Sequence, residues 1–115
     1  DGLDEVTITG KTYCAELKNG LIREFSINPS DIDIPSAKLT DIIGGEPEEN
    51  AKEINELFNG KKSTFRNVVI LNSASALVAT GHANSLEEGA GKSIISLDSG
   101  EALRKLEELI KITNS

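Results

Sequence analysis

Two adjacent carboxylates, Asp4 and Glu5, stand in the loop Asp1-Gly2-Leu3-Asp4-Glu5. Such a pair supplies the hard oxygen ligands that Mg²⁺ takes, with water and a substrate phosphate completing the shell. Adjacent acids are also common on solvated surfaces, so spacing alone leaves both readings open. Gly89-Ala90-Gly91-Lys92-Ser93 imitates the end of a phosphate-binding loop. The first glycine of such a loop falls on Leu86 here, and Glu87 and Glu88 repel phosphate, so nucleotide binding is not expected. Cys14 is the lone cysteine and cannot form an internal disulfide, which fits a reducing compartment. It lies in an alternating stretch and reads as a small buried hydrophobe. The lone His82 is too far away in sequence to suggest a nucleophile–base pair.

Other chemistry-bearing residues have plainer readings. His82 follows Gly81 beyond a helix end, where capping or solvent contact is usual. Asp31 and Asp33 lack the glycine and glutamate of a calcium loop and read as turn residues. Nothing in the spacing of Arg66 and Lys92 requires a phosphate. Asn72, on an apolar helix, is expected to satisfy backbone groups nearby. The formal charge is −7, with no Trp and few aromatics. A basic surface for duplex nucleic acid and a base-stacking platform are therefore not expected. The same charge opposes phosphate binding unless a metal, or basic residues from elsewhere, offset it. No apolar run is long enough to span a membrane, and no secretory signal is visible.

The elements that would position these groups follow from pattern and punctuation. Asp1 to Gly10 reads as a polar loop. Thr12 to Leu17 reads as a strand, with Tyr13, Ala15 and Leu17 on one face, and Leu21 to Ile27 as its return. Asn19-Gly20 between them is a strong hairpin signal, because both residues tolerate positive φ. Asn28 to Asp31 is a turn, and Ile32, Ile34 and Pro35 read as an extended linker. Lys38 to Ile43 is expected to make a short helical turn before Gly44-Gly45. Pro47 suits the first turn of a helix that carries Ala51, Ile54, Leu57 and Phe58 at helical spacing and stops at Gly60. Arg66 to Thr80 is long and rich in small residues, which favours a buried helix over a strand and allows a close neighbour. Ser85 with Glu88 is a capping box for a helix to about Leu97, weakened by Gly89 and Gly91. Ser99 is read as the cap of a last helix to Ile112, with Leu103, Leu106, Leu109 and Ile110 on one face.

The ordered set of segments resembles anthranilate phosphoribosyltransferases. It comprises Gly2-Leu3-Asp4-Glu5, Thr9-Gly10, Tyr13-Cys14-Ala15-Glu16-Leu17, Ile22-Arg23-Glu24-Phe25 and Gly44-Gly45. It continues through Glu49-Asn50-Ala51, Val69-Ile70-Leu71-Asn72, Ser85-Leu86-Glu87-Glu88-Gly89 and Asp98-Ser99-Gly100-Glu101-Ala102-Leu103. The resemblance implies an α/β fold, of which residues 1–115 form the C-terminal part, seen as a β-hairpin followed by several helices. It implies transfer of phosphoribosyl from phosphoribosyl pyrophosphate to anthranilate, a step of tryptophan biosynthesis in the cytoplasm. In that family the acidic pair sits at the tip of a parallel strand and binds Mg²⁺ held by phosphoribosyl pyrophosphate. Asp4 and Glu5 inherit the metal role; no catalytic residue is assigned in this chain. The family's Gly-Thr-Gly-Gly-Asp loop and Lys-His-Gly-Asn-Arg segment precede the acidic pair, and neither is present here.

The chain starts at Asp1 without Met, which points to a fragment, although processing also removes a Met; without the two phosphate-binding segments it is expected to be inactive alone. Its implied partners are the missing N-terminal portion, which includes a helical domain, and a second subunit in a homodimer. The competing reading is a stand-alone, non-catalytic helical interaction module that acts through an exposed apolar face.

Overall fold

Asn19 and Gly20 take positive φ, at 52° and 77°. A two-residue turn of that kind matches the twist of its flanking strands. In the computed structural model, which describes residues 1–115, β1 (Thr12–Lys18) returns directly as β2 (Leu21–Ile27). The antiparallel register sets Cys14 against Phe25, Thr12 against Ile27 and Leu17 against Ile22. Alternation then divides the hairpin. Cys14, Phe25 and Ile27 turn toward the core. Tyr13, Leu17 and Ile22 share the other face and lie open, with Tyr13 83% and Ile22 75% exposed.

Four helices follow: α1 (Pro47–Phe58), α2 (Thr64–Ala79), α3 (Leu86–Asp98) and α4 (Glu101–Thr113). Pro47 opens α1, where its missing N–H costs nothing, and the Glu49 carboxylate accepts from the Glu46 amide at 2.9 Å. Ser63 caps α2 by accepting from the Arg66 amide at 3.1 Å. Ser85 caps α3 by accepting from the Glu88 amide, and Glu88 accepts in turn from the Asn84 amide. Gly60 and Gly81 close α1 and α2 at φ 92° and 77°. Each lets the next residue reach back to a carbonyl in the last turn: Lys61 N–H to Glu56, and His82 N–H to Leu77. The long helix expected over Arg66 to Thr80 is thus present as α2 and begins two residues earlier.

Three expectations change. Ser99 does not cap α4; Gly100, at φ 84°, holds that position, and Ser99 ends α3. The stripe of Leu103, Leu106, Leu109 and Ile110 is not a fully buried face, since no residue of α4 is buried, and Leu106→Ala should accordingly cost less than the roughly 2–5 kcal/mol of a deletion at a fully buried site. The third change concerns two segments read as loops. Thr7 and Ile8 are buried inside the first ten residues, and Ile34 is buried within the supposed linker. The Ala37 amide donates to the Ile8 carbonyl at 3.0 Å, which ties these segments together. The residues before Ile34 form a 3₁₀ turn, Pro29–Ile32, packed beside α3.

The core gathers Ile70, Leu71 and Ala74 of α2 with Ala90 and Leu97 of α3, closed by Ile8, Ile27, Ile34 and Leu57. Its tightest point is Gly89. A Cβ placed there would lie 2.7 Å from the Ala74 carbonyl oxygen and 2.9 Å from the Ala74 Cα. Both are backbone atoms and cannot swing aside. The core is nevertheless thin for the chain. Accessible surface is 7951 Å², whereas a folded monomer of this mass should show about 6,100 Å². Radius of gyration is 15.3 Å, against roughly 13 Å for a compact chain of this length.

Two glycines two residues apart on α3 should therefore respond with opposite signs. Gly89→Ala should destabilise the protein by about 1–3 kcal/mol through overpacking against α2. Gly91→Ala meets open space and should stabilise by up to about 1 kcal/mol through helix propensity. Urea unfolding of both variants beside the parent measures the pair. The open hairpin face yields a second expectation: the 115 residues alone should self-associate, since exposed apolar patches and unpaired strand edges promote it. Sedimentation equilibrium tests this, and a monodisperse monomer over a wide concentration range would contradict it.

Candidate metal centre

The loop that carries Asp4 and Glu5 is fastened on both sides of the pair. On one side the Asp1 carboxylate accepts from the Leu3 amide at 3.1 Å and from the Thr9 hydroxyl at 2.8 Å. The Thr9 amide donates to the Thr7 hydroxyl oxygen at 3.0 Å, and the Thr7 amide to that of Thr12 at 3.1 Å. On the other side Asn72 of α2 grips the backbone of Val6 twice. Its Oδ1 accepts from the Val6 amide at 2.9 Å, and its Nδ2 donates to the Val6 carbonyl at 2.9 Å. The same Nδ2 donates to the Val68 carbonyl at 3.0 Å, one turn back on α2. Ile8, just beyond, is buried in the core.

Between these fastenings Asp4 and Glu5 lie at an exposed bend. Neither carboxylate makes a hydrogen bond or an ion pair within the chain. Glu5 lines a cleft of about 800 Å³ with Asp41, Glu49, Asn50, Glu53 and the Gly44-Gly45 backbone; Asp4 is outside that lining. The other acids are engaged. Asp41 accepts from the Lys38 amide, Glu49 from the Glu46 amide, and Glu53 pairs with Lys61 at 3.3 Å. Glu5 is thus the free carboxylate of the cleft. No three His, Cys, Asp or Glu side chains converge on one point. Two unengaged carboxylates fit an ion such as Mg²⁺, which takes one or two from the protein and fills its shell with water and phosphate.

The remaining candidates separate cleanly. Cys14 is half-buried, and burial pushes its thiol pKa up, which disfavours the thiolate. His82 is exposed, with Nδ1 3.0 Å from the Thr80 hydroxyl, and it completes the end of α2. Lys92 pairs with Glu88 at 2.9 Å. That contact, with the Asn84 amide, holds the Glu88 carboxyl below its ordinary range. Gly89 packs against the Ala74 backbone of α2, so the first glycine of this stretch has a packing role. Arg66 is 3% exposed, and its Nη2 lies 2.8 Å from Asp98 Oδ1, so it faces no phosphate. Asp31 accepts from the Asn28 amide, and Asp33 holds a left-handed turn at φ 58°. The sequence marked Asn72 only as a polar residue that satisfies nearby backbone; its partner proves to lie 66 positions away. An amide in the middle of an apolar helix was the available signal.

Residues 1–103 match the model of the glycosyl transferase family, a/b domain. The anthranilate phosphoribosyltransferase of Parvibaculum lavamentivorans is 45% identical over 99% of this chain, which covers 33% of that protein. The crystal structure of the Thermus thermophilus anthranilate phosphoribosyltransferase superposes with a TM-score of 0.87 at 29% identity, over 100% of this chain and 34% of its own. The Saccharomyces cerevisiae enzyme, solved in complex with 4-fluoroanthranilate, gives 0.83 at 30% identity over 96% of this chain and 32% of its own. A serine-to-alanine variant of that yeast enzyme was solved with Mg bound, and it matches with a TM-score of 0.82 at 31% identity over the same shares. The chain spans about a third of the length of these relatives. A family model that covers most of the residues, together with whole-chain agreement in sequence and shape, shows that the chain belongs to the glycosyl transferase family, as the C-terminal part of the a/b domain found in anthranilate phosphoribosyltransferases.

Proposed function

We propose that the intact protein transfers phosphoribosyl from phosphoribosyl pyrophosphate to anthranilate in tryptophan biosynthesis, and that this chain contributes Asp4 and Glu5 as ligands for Mg²⁺. The observation that carries the metal role is the pair of exposed, unengaged carboxylates in a loop fastened on both sides. The reaction itself rests on the likeness to anthranilate phosphoribosyltransferases over the whole chain. When bound, the metal neutralises negative charge that develops on the pyrophosphate leaving group. Asp4 and Glu5 hold it without giving up structural bonds. The Asp1, Thr7, Thr9 and Asn72 contacts keep the loop in one shape, so little ordering cost falls on ligand binding.

Phosphate cradling belongs to segments outside these residues. The four carboxylates around the cleft, Glu5, Asp41, Glu49 and Glu53, repel phosphate unless a cation intervenes. The open face of Tyr13, Leu17 and Ile22 is then a docking surface for the rest of the same polypeptide, the N-terminal portion that carries the helical domain and the phosphate loops. A stand-alone interaction module would use the same face for a foreign partner. The likeness to one enzyme over the chain's whole length favours the first occupant.

Asp4→Asn or Glu5→Gln in the intact protein should lower turnover at limiting Mg²⁺ by about tenfold or more, since even indirect metal contacts are worth that much. Both side chains are exposed and unbonded, so the melting temperature should hold. Initial rates across a Mg²⁺ titration check this, and rates that superpose on the parent at every concentration reject the metal role. The purified 115-residue chain should form no phosphoribosyl-anthranilate above a mock preparation, as followed by loss of anthranilate fluorescence. Clear turnover by the chain would show that the phosphate-binding elements are not required.

A further inference from the structure

Asn72 holds Val6 in a way that packing does not call for. Both hydrogen-bonding atoms of its amide meet both backbone groups of a single residue, each at 2.9 Å. Val6 directly follows Glu5, and its N–H belongs to the peptide plane that starts at the Glu5 carbonyl. The clamp therefore fixes the orientation of the peptide from which the Glu5 side chain departs. Asn72 stands on α2, whose neighbours Leu71 and Ala74 are fully buried, so the anchor is rigid. The third bond, from Nδ2 to the Val68 carbonyl, fixes which end of the amide faces which Val6 group. No other side chain outside the loop itself hydrogen-bonds residues 1–6.

We propose that Asn72 is a positioning residue for the metal: it touches neither metal nor substrate but presets the Asp4–Glu5 carboxylates through the backbone of Val6. This rests on the reading of Asp4 and Glu5 as metal ligands. The physical basis is general. Groups that orient a ligand through one intervening contact commonly alter metal affinity by about 10–100-fold when removed. Without the clamp, the bend that carries both acids gains conformers in which their oxygens diverge. Binding must then restore the order at a cost in affinity.

The test uses the intact protein and Mn²⁺ alone as the probe, titrated by electron paramagnetic resonance. Asp4→Asn and Glu5→Gln report on the metal site itself. Asn72→Leu removes both Val6 bonds at similar volume. Asn72→Asp keeps an acceptor for the Val6 amide and loses the donor; it serves if the leucine variant fails to fold. Ile70→Val trims a buried α2 residue and controls for general loosening of the helix. The expected result is a Mn²⁺ dissociation constant raised about 10–100-fold by folded Asn72→Leu, raised less by Asn72→Asp, and unchanged by Ile70→Val. Amide exchange at Val6 should quicken in both Asn72 variants. In turnover, the apparent KM for the metal should rise more than kcat falls. Parent-like Mn²⁺ affinity in a folded Asn72 variant, with affinity lost in the Asp4 and Glu5 variants, overturns the positioning role alone. Parent-like affinity in the Asp4 and Glu5 variants overturns the metal-site reading, and the positioning role with it. An equal loss in Ile70→Val reduces Asn72 to an ordinary structural contact and also refutes the proposal.

Discussion

Gly89 and Ala74 let the backbones of α2 and α3 approach more closely than any side chain at position 89 would permit. Most other contacts follow from that approach. It brings Leu97 and Ala90 onto Ile70 and Leu71, which form the centre of the core. It also places Asp98, at the end of α3, beside the buried guanidinium of Arg66. A buried Arg is tolerated only with a charged partner at hydrogen-bond distance, because desolvation would otherwise cost several kcal/mol. The helix pair thereby gains an ionic registration in addition to an apolar one. Once α2 is fixed, its opposite flank can serve as a platform, and Asn72 uses it to hold the acidic loop.

The electrostatics of the cleft extend the same logic outward. Asp41, Glu49 and Glu53 are spent on helix starts and an ion pair, which leaves Glu5 unspent among them. Clustered negative charge raises the energy of a bare anion in the cleft and lowers that of a cation. On the proposed function, this biases the site toward a metal-loaded pyrophosphate over the metal-free form. The protein's net charge of −7 reinforces the bias at longer range. Salt weakens the long-range part first, since exposed charges are screened within about 10 Å at 0.1 M.

Local rules carried the elements and their ends. Asn19-Gly20 fixed the hairpin, Pro47 opened α1, Ser85 capped α3, and the small-residue run of α2 was correctly taken as a helix with a close neighbour. Asp4 and Glu5 were legible as a candidate pair from residue type alone. What escaped depends on contacts distant in sequence. Ile8 and Ile34 each have one apolar companion two residues before, Val6 and Ile32, and runs that short among polar residues do not announce burial. The hairpin's more apolar face, with Tyr13, Leu17 and Ile22, is the open one, because no other element of these residues packs on it. Ser99 has the right side chain for a cap, but Gly100 adopts a positive φ that starts α4 one residue later. The Asn72 clamp joins positions 66 apart, beyond the reach of any window-based reading.

The thin core and the ordered loop look contradictory, since so much exposed apolar surface suggests a chain that holds its loops loosely. The contact pattern resolves this. Most of the exposed apolar residues lie on the hairpin, on α4, at Leu39 and Ile43 and at Ile94 and Ile95 of α3, and Leu3 of the acidic loop is itself exposed, whereas the backbone just after the acidic pair is tied to α2 and Ile8, which lie at the core. Local stability follows local burial and hydrogen bonding and is not uniform over a structure. The acidic pair is therefore anchored, through Val6, to the best-buried part of the chain. Chain docked onto the hairpin would add stability there without having to build the acidic loop, so assembly and ordering of the carboxylates are separable in energy.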